Sequence, residues 1–249
     1  MPIVRIRLGT RVFAPTWLMT LLTIALCILF IRLGEWQWDR GAVTQALWDA
    51  FARGADAPVA LDAAQVTSLP RFKRIRVTGR FDASHQFLLD NRTHAGQAGY
   101  EVLTPLALAG GAVLLVDRGW VAFSGYRAKL PDISMAPIAT DLEVSLTGRI
   151  DQLPSGGLAQ GRMPPPSTGA WPRVTTYPDM PQLSAAYGRT LLPRILLLDP
   201  GVPGGYVREW QAPGLSPLRH WSYAVQWWGF AATLFVIWLV LSTGKVPSA

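Results

Sequence analysis

The segment LRHWSYAVQWWGFAATLFVIWLV, residues 218–240, decides the fold. Between Arg219 and Lys245 there is no Asp, Glu, Lys or Arg. Such a run crosses about 30 Å of hydrocarbon as a helix, which takes about 20 residues, and there only a helix satisfies its own backbone. A plain anchor, however, has no use for an imidazole at its mouth or an amide inside it. An ionisable residue at the edge of a span is a functional hypothesis by default. On a helix His220, Tyr223, Ala224 and Trp227 share one face, at steps of three, four and seven, while Gln226 and Trp228 point elsewhere. An amide in lipid needs a partner, so Gln226 is expected to face the first helix or another protein. The tryptophans by themselves fit the aromatic belt of any span end.

A matching run lies at the other end. Residues 12–31, VFAPTWLMTLLTIALCILFI, carry no charge between Arg11 and Arg32. The 249-residue chain is half hydrophobic and only 16% charged, too apolar for an ordinary soluble enzyme, and the two runs account for the excess. The net charge of +7 does not point to nucleic acid, because residues 34–219 hold 18 basic and all 16 acidic residues. Arg5, Arg7, Arg11, Arg32 and Lys245 flank the runs and carry a topology signal, with both termini cytoplasmic. The expected order is a tail over 1–11, a transmembrane helix over 12–33, an exported domain over 34–219, a second transmembrane helix over 220–241 and a tail over 242–249. The first span is expected to be an uncleaved anchor, because no small-x-small site follows Phe30. Leu26 before Cys27 also departs from a lipoprotein box. Cys27 is the single cysteine, so the exported domain has neither a disulfide nor a thiolate metal site.

Residues 34–53 read as a helix leaving the membrane, with Trp36, Val43, Leu47 and Phe51 on one side. Beyond Gly54 the pattern turns to strands. Ile75, Val77 and Phe81 alternate, Gln86–Asp90 is a short strand, and residues 100–123 read as two strands joined at Gly110-Gly111. Glu143–Ile150 and Arg194–Asp199 are further strands, and Pro181–Tyr187 is a short helix. The hexapeptide from Val77 to Asp82, VTGRFD, is echoed from Leu146 to Asp151 as LTGRID, without a repeat around it. Residues 152–172, rich in Pro, Gly and Ser, read as a long mobile loop. The fold class is thus two transmembrane α-helices flanking a mainly antiparallel β (α+β) extramembrane domain.

Motifs for enzymatic chemistry are missing. There is no G-x-S-x-G, no complete P-loop, no H-x-x-x-H and no H-E-x-x-H, so the chain is read as a non-enzyme. Asp117 and Asp199 both lie at strand ends, where Asp is common. His85 in a turn and His94 in a loop read as solvated polar residues. His220 stays open between a ligand and an interfacial residue whose ring snorkels to headgroups.

Four blocks, in order and spacing, resemble the Surfeit locus protein family, the assembly factors of haem-copper cytochrome oxidase. Leu33-Gly34-Glu35-Trp36-Gln37-Trp38-Asp39-Arg40 is similar to the family's L-G-x-W-Q-x-x-R. Asn91-Arg92 followed by Gly99-Tyr100-Glu101-Val102-Leu103-Thr104-Pro105 is similar to N-R … G-Y-x-V-x-T-P. Val116-Asp117-Arg118-Gly119-Trp120-Val121 is similar to V-x-R-G-W-V, and His220-Trp221-Ser222-Tyr223-Ala224-Val225-Gln226-Trp227 to H-x-x-Y-A-x-Q-W. The resemblance implies a membrane protein that transiently binds haem a and helps insert it into the catalytic subunit of cytochrome c oxidase. His220 would be the iron ligand, with Tyr223 and Trp227 on its face, and Arg219 and Arg118 would meet the propionates. Trp36, Gln37, Arg40 and Gln226 would be partner or interface residues. The implied partners are the oxidase catalytic subunit, a haem a synthase and the bilayer. The implied place is a bacterial inner membrane with the central domain periplasmic, or the mitochondrial inner membrane. Haem o of a quinol oxidase and a haem-free scaffold stay open at this point.

Overall fold

In the computed structural model, residues 3–54, 57–126, 129–135, 142–157 and 165–245 are described. The tail ends and residues 158–164, a third of the 152–172 loop, lie outside them. The chain forms two compact units, Met1–Asp49 with Ala212–Ala249 and Ala50–Gln211.

The first unit is a helical hairpin closed by a small sheet. Strands β1 (Ile6–Leu8) and β2 (Arg11–Phe13) precede helix α1 (Trp17–Arg53). The two segments anticipated over 12–33 and 34–53 are one continuous helix, and its start moves to Trp17 because residues 11–13 are used as a strand. At 37 residues α1 is about 55 Å long, well beyond a hydrocarbon core. Both α1 and the C-terminal helix are long and apolar enough to cross a membrane.

The second unit is β-rich. It comprises β3 (Val59–Ala60), β4 (Arg74–Phe81), β5 (Phe87–His94), β6 (Gln97–Leu108), β7 (Val113–Ala122), β8 (Val144–Asp151) and β9 (Arg173–Thr175). Helix α2 (Met180–Tyr187) and β10 (Ile195–Leu198) complete it. The glycine pair anticipated as a turn joins β6 to β7, with Gly110 and Gly111 both at positive φ. The strand order is β3-β4-β8-β10-β7-β6-β5-β9, and β4 also pairs with β6. That extra pairing closes β4, β8, β10, β7 and β6 into a five-stranded barrel, with β3, β5 and β9 outside the closure. Pairing is antiparallel apart from β10 with β7, β3 with β4 and β5 with β9.

The hexapeptide echo has a structural cause. Strands β4 and β8 pair antiparallel with Val77 opposite Leu146. Each echo glycine sits where another strand's backbone comes too close for a side chain. A Cβ on Gly79 would meet the Ala107 carbonyl oxygen at 2.5 Å, and one on Gly148 that of Leu197 at 2.4 Å. Val77, Phe81, Leu106, Leu114, Val116, Leu146, Ile150 and Leu196 fill one buried cluster. A second cluster, Phe87, Leu103, Leu115 and Ile195, is covered by Leu183 of α2. Asp179 caps α2 by accepting from the Gln182 backbone N–H, as the Asp-x-x-Gln spacing favours.

Candidate functional site

Helix α3 (Pro217–Leu241) packs antiparallel on α1 inside the first unit. Its buried residues are Pro217, Ala224 and Ala231, seven apart, so one stripe of small side chains faces α1. On α1 the buried stripe is Gly34, Gly41 and Thr44. Trp36 and Val43, read from the sequence as sharing one side of the helix, are both exposed. Between apolar helices surrounded by lipid, close approach of small residues is what drives packing. The two glycines make room for indoles. A Cβ on Gly34 would lie 2.3 Å from Trp228 Nε1, and one on Gly41 2.4 Å from Trp221 Nε1. The Trp38 ring sits between those indoles, at centroid distances of 6.0 Å from Trp221 and 5.8 Å from Trp228.

His220 and Trp227 flank the opposite side of the seam. His220 Nδ1 is 2.9 Å from Gln37 Oε1 across the hairpin. Two turns further into the apolar segment, Phe30 stacks on Trp227 at 5.7 Å, and Phe230 completes the aromatic group at 6.0 Å from Phe30. Tyr223, three residues from His220, is 46% exposed, and Arg219 is exposed at the helix start. The expected shared face is therefore divided: Ala224 is fully buried in the seam, while His220, Tyr223 and Trp227 line its flank. Gln226 does not meet α1. It is exposed, about 200° around the helix from Ala224. The amide that works inside the hairpin is Gln37, which the sequence marked only as an interface residue. Trp36 and Arg40 are exposed on α1.

An amide oxygen only accepts, so in this contact Nδ1 of His220 donates, and in the neutral ring the lone pair lies on Nε2. Histidines that bind metals hold their other ring N–H in this way. The donor set, one oriented imidazole beside a half-exposed aromatic flank, fits a haem iron and a planar apolar ring. Among the described residues no group of three or more His, Cys, Asp or Glu could hold a bare metal ion.

Arg118 takes a different place from the one expected. It is 3% exposed in the β unit. Its Nε donates to the Gly204 carbonyl at 2.7 Å, and Nη1 donates to Gln86 Oε1 at 3.0 Å and Thr104 Oγ1 at 3.4 Å. The guanidinium also lies over the Tyr206 ring. Burial lowers its pKa from the ordinary value, and Tyr206 partly offsets this. Sequence cannot separate a buried arginine from a surface one, because Arg-Gly-Trp carries no burial signal. The flanking Gly119 has φ +107°, and a Cβ there would lie 2.5 Å from the Val207 carbonyl oxygen. The Trp120 indole covers Gly99 and donates to the Arg92 carbonyl at 3.3 Å. Two of the four quoted blocks thus meet inside the β unit, and the other two, containing Gln37 and His220, meet in the hairpin.

A cavity of about 420 Å³ in the β unit is lined by Glu101, Asp117, Asp151, Glu209 and His94 among others. Arg92 pairs with Glu101 at 3.2 Å, and Arg71 pairs with Asp151. Asp117, 2% exposed, accepts from the Gly119 N–H at 3.0 Å. Burial raises its pKa well above the usual carboxylate range, and the neighbouring Glu101 raises it further. Burial raises the pKa of Glu101 too, against the pull of Arg92. His94 and His85, read as solvated, both have partners: Glu209 at 4.0 Å and Asp82 at 2.8 Å.

One unit is thus an apolar helical hairpin in which His220 meets Gln37, and the other is a β-rich unit with Arg118 buried inside it. A model described as the SURF1 family matches residues 24–232. The chain belongs to that family, which is generally one of cytochrome oxidase assembly factors. It is 30% identical over 225 residues to an uncharacterized SURF1-like protein of Mycobacterium bovis, covering 87% of this chain and 79% of the relative. The same figures hold for uncharacterized SURF1-like proteins of two Mycobacterium tuberculosis strains.

Proposed function

We propose that this protein is a membrane-bound assembly factor of cytochrome c oxidase that carries haem a to the catalytic subunit. Both helices cross the bacterial inner membrane, the termini lie in the cytoplasm and the β unit in the periplasm. The observation that carries the reading is the 2.9 Å contact of His220 Nδ1 with Gln37 Oε1, which joins the two membrane-proximal family blocks and frees Nε2 for iron. When bound, haem supplies an iron with an open axial position and two propionates. His220 holds the iron, Tyr223 and Trp227 line the ring's flank, and Arg219 meets a propionate. A single neutral imidazole is a weak hold, so the cargo passes readily to a site with two axial histidines. The partners are the oxidase catalytic subunit and the haem a synthase.

The same contact also favours a second reading. In a haem-free scaffold, Gln37 and His220 would be a clip between the helices, and the blocks would be docking surfaces for an oxidase intermediate. Haem content by type, in protein purified from haem-a-producing cells, separates the two. The carrier reading expects haem a in the wild type and its loss in His220→Ala. An unchanged haem spectrum and yield in His220→Ala sinks it, as does wild-type protein without haem. Haem o in place of haem a would assign the protein to a quinol oxidase instead.

A further inference from the structure

Both termini of the hairpin unit end in one sheet. Strand β2 lies in the middle, with β1 on one side and β11 (Thr243–Lys245) on the other, both antiparallel to it. The Ala14 N–H donates to the Ser242 carbonyl at 2.7 Å, and the Ile3 N–H donates to the Pro15 carbonyl at 2.8 Å. Phe13 packs edge-on against Trp238 at 5.6 Å, and Trp238 Nε1 donates to Thr20 Oγ1 at 3.2 Å. The sheet is thereby fixed at the ends of the two apolar helices instead of trailing from them.

We propose that this sheet is a binding surface for anionic phospholipid headgroups. Arg5, Arg7 and Arg11 are exposed, and none has an ion-pair partner among the described residues. The first acidic residue of the chain is Glu35, and none follows Glu209. Glu35 lies 18 helical steps beyond Trp17, about 27 Å away, so among the described residues no side-chain carboxylate of the flanking segments reaches the sheet. Alternation puts Arg5 and Arg7 on one face. Arg11 sits opposite Leu8 in the ladder and so belongs to the other face. A globular protein would cover one face and leave the other cation bare, whereas a headgroup layer surrounds both. The exposed Val4 and Ile6 next to the arginines, and the exposed Trp17 at the first turn of α1, suit the boundary of headgroup and acyl chain. This rests on the reading that the helices cross the membrane.

The test is electron spin resonance of the full-length protein reconstituted in phosphatidylcholine, with spin-labelled phosphatidylglycerol or spin-labelled phosphatidylcholine as probe. A cation near an anionic surface is worth about a factor of five. The motionally restricted fraction should therefore favour phosphatidylglycerol by about three- to tenfold at low salt. That preference should fall toward one in Arg5→Gln/Arg7→Gln/Arg11→Gln, and in the wild type at about 0.5 M salt, where screening is strong. The restricted phosphatidylcholine component reports helix–lipid contact whatever the headgroup. If it is present in wild type and variant alike with no preference for phosphatidylglycerol, the lipid surface is refuted and the crossing helices stand. A preference unchanged in the triple variant refutes it equally. If the phosphatidylcholine component is absent, both readings fall.

Discussion

Replacing Gln37 by leucine removes the acceptor of the His220 Nδ1–H without disturbing much else. Leucine has a helix propensity close to that of glutamine, so α1 persists. The lost neutral hydrogen bond is worth about 1 kcal/mol, and leaving the partly buried ring N–H without a partner costs about 1–3 kcal/mol more. The ring then turns about its χ angles, and Nε2 is no longer aimed. At about 1.4 kcal/mol per decade, a loss of roughly tenfold in ligand affinity follows, the lower end of the 10- to 100-fold range typical for outer-shell partners of metal-binding histidines. The assay is optical titration of the detergent-solubilised full chain with haem a, beside thermal unfolding of the apo protein. Gln37→Leu should bind about 10- to 100-fold more weakly, with an unfolding midpoint only a few degrees lower. Gln37→Glu should bind as tightly as wild type and lower the reduction potential of the bound iron, because an anionic acceptor makes Nε2 a stronger donor. Wild-type affinity in Gln37→Leu, with binding lost in His220→Ala, would refute the orienting role of Gln37.

Other changes test the packing and the charge. Gly41→Leu drives a side chain into the Trp221 indole, where even a Cβ has only 2.4 Å. Overpacking of this kind costs about 1–3 kcal/mol, and an unaltered unfolding midpoint in detergent would contradict the glycine–indole seam. Asp117→Asn keeps an oxygen to accept the Gly119 N–H and removes a charge that burial disfavours. Because the folded pKa of Asp117 is raised, the folded chain retains a proton that the unfolded chain releases. Its contribution to stability is therefore present below the ordinary carboxylate range and lost as pH rises toward the raised value. The variant should melt higher than wild type at pH 7–8, by about 2–4 °C per kcal/mol recovered, and the gain should vanish near pH 4; equal gains at both would rule out titration of Asp117. Arg40→Ala should lower oxidase yield while leaving membrane insertion intact, as read from holo-oxidase spectra and membrane fractionation; normal oxidase assembly counts against a role for this exposed arginine at a partner or headgroup surface.

Much of the fold is written in local patterns. The apolar runs at either end, the alternation of Ile75, Val77 and Phe81, the Gly110-Gly111 turn and the Asp179-Gln182 cap each depend on residues a few positions apart, and each corresponds to an element of the structure. The candidate site was legible by type. His220 stands out because an imidazole at the mouth of an apolar run needs a reason. Its environment was not legible. A helical period tells which residues share a face, but not which face meets a neighbour. The period put Trp36 and Val43 on one side, and both are exposed, while the hairpin buries Gly34, Gly41, Ala224 and Ala231, with the two glycines against the Trp228 and Trp221 indoles.

Sequence by itself determined where the apolar helices lie, that cations gather at their ends, that the middle is β-rich, and that one histidine is out of place in an anchor. Tertiary structure decided what those features do. It set Gln37 against His220 across 183 residues of chain and turned Gln226 outward. It also sank Arg118 among Gln86, Thr104 and Gly204 and joined β1, β2 and β11 into one sheet. The physical reason is common to all four. Helix period and strand alternation act over a few residues, whereas the partner of a buried amide, imidazole or guanidinium is chosen by which distant backbone or side chain the packing leaves within hydrogen-bond reach.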